Sequence, residues 1–398
     1  MHYFSVQKYG FIVYLKKKFN LKSRLYGRMR GNMAGSSYGT IFKITTWGES
    51  HGIALGAIVD GCPAGLSLSE ADIQPYLDRR KPGQSNISTP RKEEDAVEIL
   101  SGTFEGRTTG TPISLLIRNT SQRSGDYGDI ASYYRPGHAD YSFDAKYGFR
   151  DYRGGGRSSG RETAARVAAG AIAIKLLKEL GITVTAYTRS LGPIEADLSA
   201  FDKEAILETP TAMPDREASL RAEQYLREVM SDTDSLGGVM ECRIEGVPAG
   251  IGDPVFEKLD ANLGKAILSI GAVKAVEIGD GMQASRTRGS EFNDAFYMDG
   301  DTPAKRTNHA GGILGGISDG STILIRAHVK PTPSIYKQQE TVNKDGQDIS
   351  INIKGRHDPV IVPRAVVVME AMAAITLVDA MMINVSAKTE NLIKFYGK

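Results

Sequence analysis

Two cysteines in 398 residues are too few, and Cys62 and Cys242 too far apart, to staple a fold. No second Cys or His stands near either at ligand spacing, which argues against a disulfide scaffold and a zinc site and fits a reducing cytoplasm. No HxxxH, HxH or clustered carboxylate pattern offers another metal site, so none is expected. A long uninterrupted apolar run is also missing. The most apolar stretch, Ala365 to Ile383, carries Glu370 and Asp379, both costly in lipid, and reads as a buried core helix rather than a membrane span. Gly154-Gly155-Gly156-Arg157-Ser158-Ser159 is not GxGxxG and follows no strand-like run, and GxxxxGK[ST] does not occur, so neither a Rossmann nucleotide site nor a P-loop is supported. No nucleophile elbow is evident.

Charge of one sign is scarce as well, since the formal net charge is only +2. Its distribution is uneven. Residues 1–32 hold five Lys, three Arg and no acid, which leaves 41 basic against 47 acidic side chains in 33–398. A mildly acidic body argues against nucleic-acid binding, which calls for a basic face. In the N-terminal segment Lys16–Lys18 follow the apolar residues instead of preceding them, unlike a signal peptide. Residues 1–32 are expected to be a basic leader, non-native or disordered, because patterned sequence starts at Gly35-Ser36-Ser37-Tyr38-Gly39. The domain is expected over 33–390, with 391–398 a C-terminal tail.

What is present is a mixture of helix and strand signals. Ser69 is placed to cap a helix starting at Glu70, a longer helix spans about Arg161 to Leu180 and stops at Gly181, and Asp215 opens another. Pro254 and Pro363 are expected to start two more, the second running to about Ile383. Ile323, Ile325, Ala327 and Val329 alternate with Leu324, Arg326, His328 and Lys330, the pattern of a strand with one apolar face. Asp60-Gly61-Cys62-Pro63-Ala64-Gly65-Leu66 is echoed by Glu245-Gly246-Val247-Pro248-Ala249-Gly250-Ile251, each after a strand-like run and before a helix. The echo suggests a duplicated strand–turn–helix unit. No linker separates the halves, so one α+β domain is expected.

Four histidines lie in Gly-rich or polar loops, where proton transfer is commonly placed: His51, His138, His309 and His357. Arg135, Lys146, Arg150, Arg153, Arg157 and Arg161 converge on Gly154-Gly155-Gly156 and Ser158-Ser159 at the start of the long helix. Free N–H groups and guanidinium forks there favour a phosphate or carboxylate. Arg79-Arg80-Lys81-Pro82-Gly83 and Lys330-Pro331-Thr332-Pro333-Ser334 suggest two further anion sites. The residues alone describe a polyanion pocket with proton-transfer histidines. An enzyme acting on a phosphorylated or carboxylated small molecule fits this; so do a non-catalytic anion- or nucleic-acid-binding protein and a flavin-independent phosphatase.

Several of these motifs, taken in order, closely resemble the chorismate synthase family: Gly48-Glu49-Ser50-His51-Gly52, Asp60 to Gly65, Arg135-Pro136-Gly137-His138-Ala139-Asp140, Arg157 to Thr163, Asn308-His309-Ala310-Gly311-Gly312, Lys330 to Ser334 and Gly355-Arg356-His357-Asp358-Pro359. The resemblance covers about Gly35 to Ile383. It implies 1,4-anti elimination of phosphate from 5-enolpyruvylshikimate 3-phosphate to give chorismate, in the aromatic amino-acid pathway. It also implies reduced FMN as cofactor without net redox change, and NADPH as a possible reductant. By the same resemblance His51 protonates the leaving phosphate, His138 protonates reduced flavin near N1, and Asp358 acts with Ser50 on the N5 proton. Arg157, Ser158, Ser159, Gln283, Ala284, Gly315, Lys330, Pro331, Thr332, Pro333, Ser334 and Arg356 fall on flavin positions. Arg80, with Arg135 and Arg161, falls to substrate or NADPH. Asn86 stands where a second nucleotide arginine is usual, and Gly160 where Ala is common. The implied fold is a single-domain β-α-β sandwich of antiparallel sheets with an internal duplication. The implied assembly is a cytoplasmic homotetramer, with no nucleic-acid or membrane partner.

Overall fold

The computed structural model describes residues 35–83, 93–120, 129–353 and 358–397. Chain contacts separate residues 1–37 from Tyr38–Lys398, and the fold belongs to the second unit. Its described residues form a mixed helix and antiparallel sheet structure with two main sheets. In the first, strands Lys43–Gly48, Ala54–Asp60, Ile113–Arg118 and Val97–Ser101 are neighbours in that order, each antiparallel to the next. In the second, Val273–Ile278, Ile323–Val329, Gly238–Glu245 and Thr183–Leu191 are ordered likewise, again antiparallel. The alternation expected of Ile323–Val329 holds: Ile323, Ile325, Ala327 and Val329 are buried, while Leu324, Arg326 and His328 are half-exposed.

Two apolar helices make the centre of the core. Helix Thr163–Glu179 packs on strand Ala54–Asp60, helix Val362–Asn384 packs on Thr183–Leu191 and Gly238–Glu245, and the two helices pack on each other. Small residues let them approach closely. A Cβ added at Gly170 would lie 2.3 Å from the Ala371 Cβ, so this crossing tolerates no side chain. Among the described helices, the one starting at Val362 is long and apolar enough to cross a bilayer, yet most of it is buried inside the protein. Its acidic interruption has a partner. Both carboxylate oxygens of buried Glu370 accept from Arg79 at 2.6 and 3.0 Å, and one also accepts from the Ala186 N–H at 2.9 Å.

The cap signals behave as their chemistry dictates. The Ser69 N–H donates to Asp72 Oδ2 at 2.8 Å ahead of helix Glu70–Arg80, and Asp215 accepts from the Glu217 and Ala218 N–H groups at 3.0 and 3.1 Å ahead of Arg216–Ser231. One start differs from expectation. The helix assigned to Pro254 begins at Leu259, because Gly252 and Val255 hold φ at +106° and +64°, outside helical backbone. Cys62 and Cys242 are buried free thiols, and burial pushes Cys62 up to about 11.

The two Pro-Ala-Gly turns share one hydrogen-bond scheme. At the first, Thr108 Oγ1 donates to Pro63 O (2.6 Å) and accepts from Leu66 N (3.0 Å), while Gly65 N donates to Thr108 O (2.8 Å). At the second, Ser318 Oγ donates to Pro248 O (2.7 Å) and accepts from Ile251 N (2.9 Å), while Gly250 N donates to Ser318 O (2.8 Å).

Candidate active site

A cleft of about 580 Å³ opens where the N-termini of the two central helices meet the loops around Gly137, Ser158, Ser269 and Thr332. Its size suits a small organic ligand or two. Of the expected residues, His138, Arg157, Ser158, Ser159, Arg80, Arg161, Lys330, Thr332, Pro333 and Asp358 line it.

The cationic floor is built around buried Asp95, with buried Glu93 3.8 Å from Arg161. Asp95 places Oδ2 on Arg80 Nη1 at 3.0 Å and Oδ1 on Arg161 Nη1, with all three side chains at most 4% exposed. Asp95 adopts φ +51°, a conformation Asp tolerates better than most residues. Arg80 also donates to Thr163 Oγ1 (3.1 Å) and Gly160 O (2.8 Å), and Arg161 to Asn119 Oδ1 (2.9 Å). Burial, then the charge of Arg364, push Arg80 down to about 10 despite Asp95. Burial alone would raise Asp95, but the two guanidiniums outweigh it and hold its carboxyl below the usual range.

Above this floor, the loop after Tyr147 folds back over the end of strand Lys43–Gly48. Arg157 donates to Gly48 O (3.1 Å), Thr46 O (3.2 Å) and Thr46 Oγ1 (2.7 Å). This brings Gly154 against Ser50 and His51, which are buried and joined Oγ to Nδ1 at 3.2 Å. At Gly154 (φ +65°) a Cβ would stand 2.3 Å from His51 Cε1 and 2.9 Å from Ser50 Oγ, so only glycine fits. On the far wall His138 Nε2 meets Ser334 Oγ at 2.8 Å, and Lys330 Nζ donates to Gly137 O at 2.7 Å. Burial and the neighbouring Lys274 lower the Lys330 ammonium. Thr332 Oγ1 is buried without a hydrogen-bond partner among the described residues.

Other expected residues sit elsewhere. Arg135 is buried in a fork with Asp140 (2.7 and 2.8 Å) and does not line the cleft; it braces the loop that carries His138. Of the cationic run, Arg150 binds Asp144 and the Ile130 and Tyr133 carbonyls, and Arg153 binds Asp151, so Arg157 and Arg161 alone of that run reach the cleft. Arg79 and Lys81 are spent on Glu370 and Asp78, leaving Arg80. Gln283 and Ala284, on the turn Gly281–Arg286, and Gly315, on a small hairpin, do not line the cleft; nor do Ser50, His51, Pro331 and Ser334. His309 pairs instead with Asp280 (Nδ1 to Oδ2, 2.6 Å). Arg356, His357 and Asn86 lie outside the described residues.

Three groups at the cleft were not among the expected residues. Arg364 lines the cleft, and a cation in a helix's first turn opposes the macrodipole, a signal available in the sequence. Asp95 and Arg166 carry no such mark. The reading also passes over the spelling of Gly156-Arg157-Ser158-Ser159-Gly160, which matches Gly-x-Ser-x-Gly. The structure puts it on two single 3₁₀ turns with no strand leading in, so it lacks an elbow's geometry. No group of three His, Cys, Asp or Glu among the described residues is placed to hold a metal.

Fold and cleft together define an α+β enzyme built around a cation-rich site for an anionic small molecule. The model of the chorismate synthase family matches residues 42–382. Chorismate synthase from Lachnoclostridium phytofermentans is 64% identical over 367 residues, 92% of this chain and all of the relative. That from Agathobacter rectalis is 62% identical over 366 residues, with the same coverage. A crystal structure of chorismate synthase superposes with a TM-score of 0.71 at 34% identity, covering 90% of this chain and 96% of the other. The chain belongs to the chorismate synthase family, a family of carbon–oxygen lyases.

Proposed function

We propose that this chain eliminates phosphate from 5-enolpyruvylshikimate 3-phosphate by the 1,4-anti route, with reduced FMN held in the same cleft. One observation carries the reading: Arg80, Arg161, Arg157 and Lys330 surround a single cleft that also receives His138 and Asp358. A substrate with one phosphate and two carboxylates needs that density of cations, and a departing phosphate needs a proton. The residues fit a flavin phosphate and ribityl chain too, since the Ser158-Ser159 turn and the unpartnered Thr332 hydroxyl offer donors. When bound, reduced flavin supplies electron density that eases breakage of the allylic C–O bond without net oxidation.

The chain's own residues bind, orient and move protons. Arg80 and Arg161, fixed by Asp95, hold the substrate's anionic groups. His51, which packs under Gly154 and is oriented by Ser50 without itself lining the cleft, is assigned the proton for the leaving phosphate by the family resemblance. With flavin bound, His138, held through Nε2 by Ser334, would serve its N1 side, and Asp358, which lines the cleft, would take the N5 proton with Ser50 as its partner. Gln283, Ala284 and Gly315 do not line this cleft, so their flavin role would require a neighbouring subunit of the expected homotetramer to bring them to it. Arg356 completes the flavin site, and NADPH is the candidate reductant. The matched hydrogen bonds at the Thr108 and Ser318 turns support an internal duplication, two sheet–helix halves of one β-α-β sandwich. The proposed catalytic domain is 33–390, working in the cytoplasm.

Anaerobic incubation of the chain with 5-enolpyruvylshikimate 3-phosphate, with and without reduced FMN, tests the reading. Chorismate formed only with reduced flavin supports it; phosphate released without flavin, or no turnover, sinks it. NADPH oxidation in the presence of FMN decides whether the chain reduces its own cofactor.

A further inference from the structure

Arg364 occupies the first turn of the helix Val362–Asn384, where the aligned peptide dipoles repel a cation. Its guanidinium is held on two sides: Nε donates to the Arg80 backbone carbonyl at 3.0 Å, and Nη1 donates to the Asp358 carboxylate. It lines the cleft with its side chain 21% exposed, and Nη2 has no protein partner among the described residues. Its charge, next to burial, is what most depresses Arg80. Arg80 and Arg161 have Asp95 between them, Glu93 stands 3.8 Å from Arg161, and Arg364 adds a third guanidinium to this corner with Asp358 at its rim. A cation kept against a helix dipole and against a neighbouring arginine is stabilised when an anion binds beside it.

We propose that Arg364 is a further substrate-binding residue, whose Nη2 donates to an anionic oxygen of the substrate beside Arg80 while Nη1 keeps Asp358 facing the cleft. The ligand group it takes is a phosphate or carboxylate with two oxygens in reach of two guanidiniums. This rests on the reading above, and on the cleft described with it.

The test is direct binding to the full chain loaded with oxidised FMN, where no turnover intrudes. Calorimetry measures affinity for 5-enolpyruvylshikimate 3-phosphate and, separately, for FMN, in the unaltered chain, Arg364→Ala and Arg364→Lys. Loss of one charge-assisted donor to an anion predicts about 10- to 100-fold weaker substrate binding in Arg364→Ala, with FMN affinity kept within about twofold. Arg364→Lys keeps the charge and loses the fork, so it falls between. Substrate bound as tightly by both variants as by the unaltered chain overturns the proposal, as does an equal loss of FMN. If Arg364→Ala fails to fold, Arg364→Lys decides alone on the same two affinities. Failure of the unaltered chain to bind the substrate overturns the functional reading as well, whereas binding that is indifferent to residue 364 overturns this inference only.

Discussion

The packing of Gly154 on His51 makes a local prediction that separates chemistry from stability. Gly154→Ala adds one carbon in a left-handed backbone, 2.3 Å from His51 Cε1 and 2.5 Å from Nδ1. Two costs follow. Alanine in that conformation costs about 1 kcal/mol or somewhat more. The contact must also open to the ordinary carbon separation near 3.5 Å, so the ring or the loop moves by about 1 Å. His51 is buried and tied to Ser50, so its displacement carries Ser50 with it. A 1 Å error in a proton-transfer group can cost about 100-fold in rate.

Gly155→Ala is the control. Its φ is +87°, so the backbone cost is similar, but the nearest atom to its Cβ is Ser158 Oγ at an ordinary 3.4 Å. The backbone cost should lower Tm by about 1–2 °C in both variants, and the contact with His51 should add to it in Gly154→Ala. Anaerobic turnover with reduced FMN should fall about 100-fold in Gly154→Ala and stay within a few-fold of the unaltered rate in Gly155→Ala, about the difference that 3 kcal/mol makes. Equal turnover in the two variants, whether both intact or both lost, refutes the argument that Gly154 is there to seat His51.

Acid should unfold the domain through its paired carboxylates. Burial would raise Asp95, Asp140 and Asp294, but Arg80 and Arg161, Arg135, and the Thr307, Ala310 and His309 donors respectively outweigh it and hold each below its unfolded value. Their stabilisation is therefore complete above about pH 4 and is lost as pH falls through the folded values. Tm should be flat from about pH 6 to 8 and fall below about pH 4. Asp95→Asn should lower the plateau and flatten that fall, and an unchanged acid limb would count against Asp95 as a source of it. Arg135→Lys loses the Asp140 fork under the His138 loop, so steady-state kinetics should show lower kcat with little change in substrate KM; a rise in KM alone would restore Arg135 to substrate binding. Cys62 and Cys242 are buried, with both thiols pushed up by burial, so iodoacetamide at pH 8 should label them only after unfolding. Rapid labelling of the native chain would contradict their burial.

Those elements whose signal is local were legible in the sequence. Ser69 and Asp215 cap helices because an N-cap is satisfied within three residues of itself, and the Ile323–Val329 alternation survives because one sheet face is buried. Leu259 was not legible as a helix start, since what stops Pro254 from nucleating is the backbone that Gly252 and Val255 adopt in the tertiary fold. The same division holds in the site. Loops rich in Arg, Gly and His announced a polyanion site, but not which guanidiniums are free. Arg135 and Arg153 sit close in sequence to Arg157 and Arg161, yet they face Asp140 and Asp151, and only packing reveals that. Asp95 was invisible for the converse reason: one acid in Lys92-Glu93-Glu94-Asp95 looks like solvated surface until two arginines distant in sequence converge on it.

The position of the cleft follows from how the central helices start. Arg80 leaves the end of helix Glu70–Arg80, Arg161 precedes the first central helix, and Arg364 starts the second, so three like charges share one corner. The apolar core has no need of charge at that junction. Its apolar helices already pack through Gly170 and Ala371, and like charges only cost stability there. Asp95, Glu93 and Asp358 offset part of that cost, and an anionic ligand offsets more of it. Bound 5-enolpyruvylshikimate 3-phosphate should therefore raise Tm more at low than at high ionic strength, because added salt screens the same repulsion that the ligand relieves. A ligand-induced Tm shift indifferent to salt would mean that hydrophobic or hydrogen-bonding contacts hold the substrate, and that the arginine corner serves the fold instead.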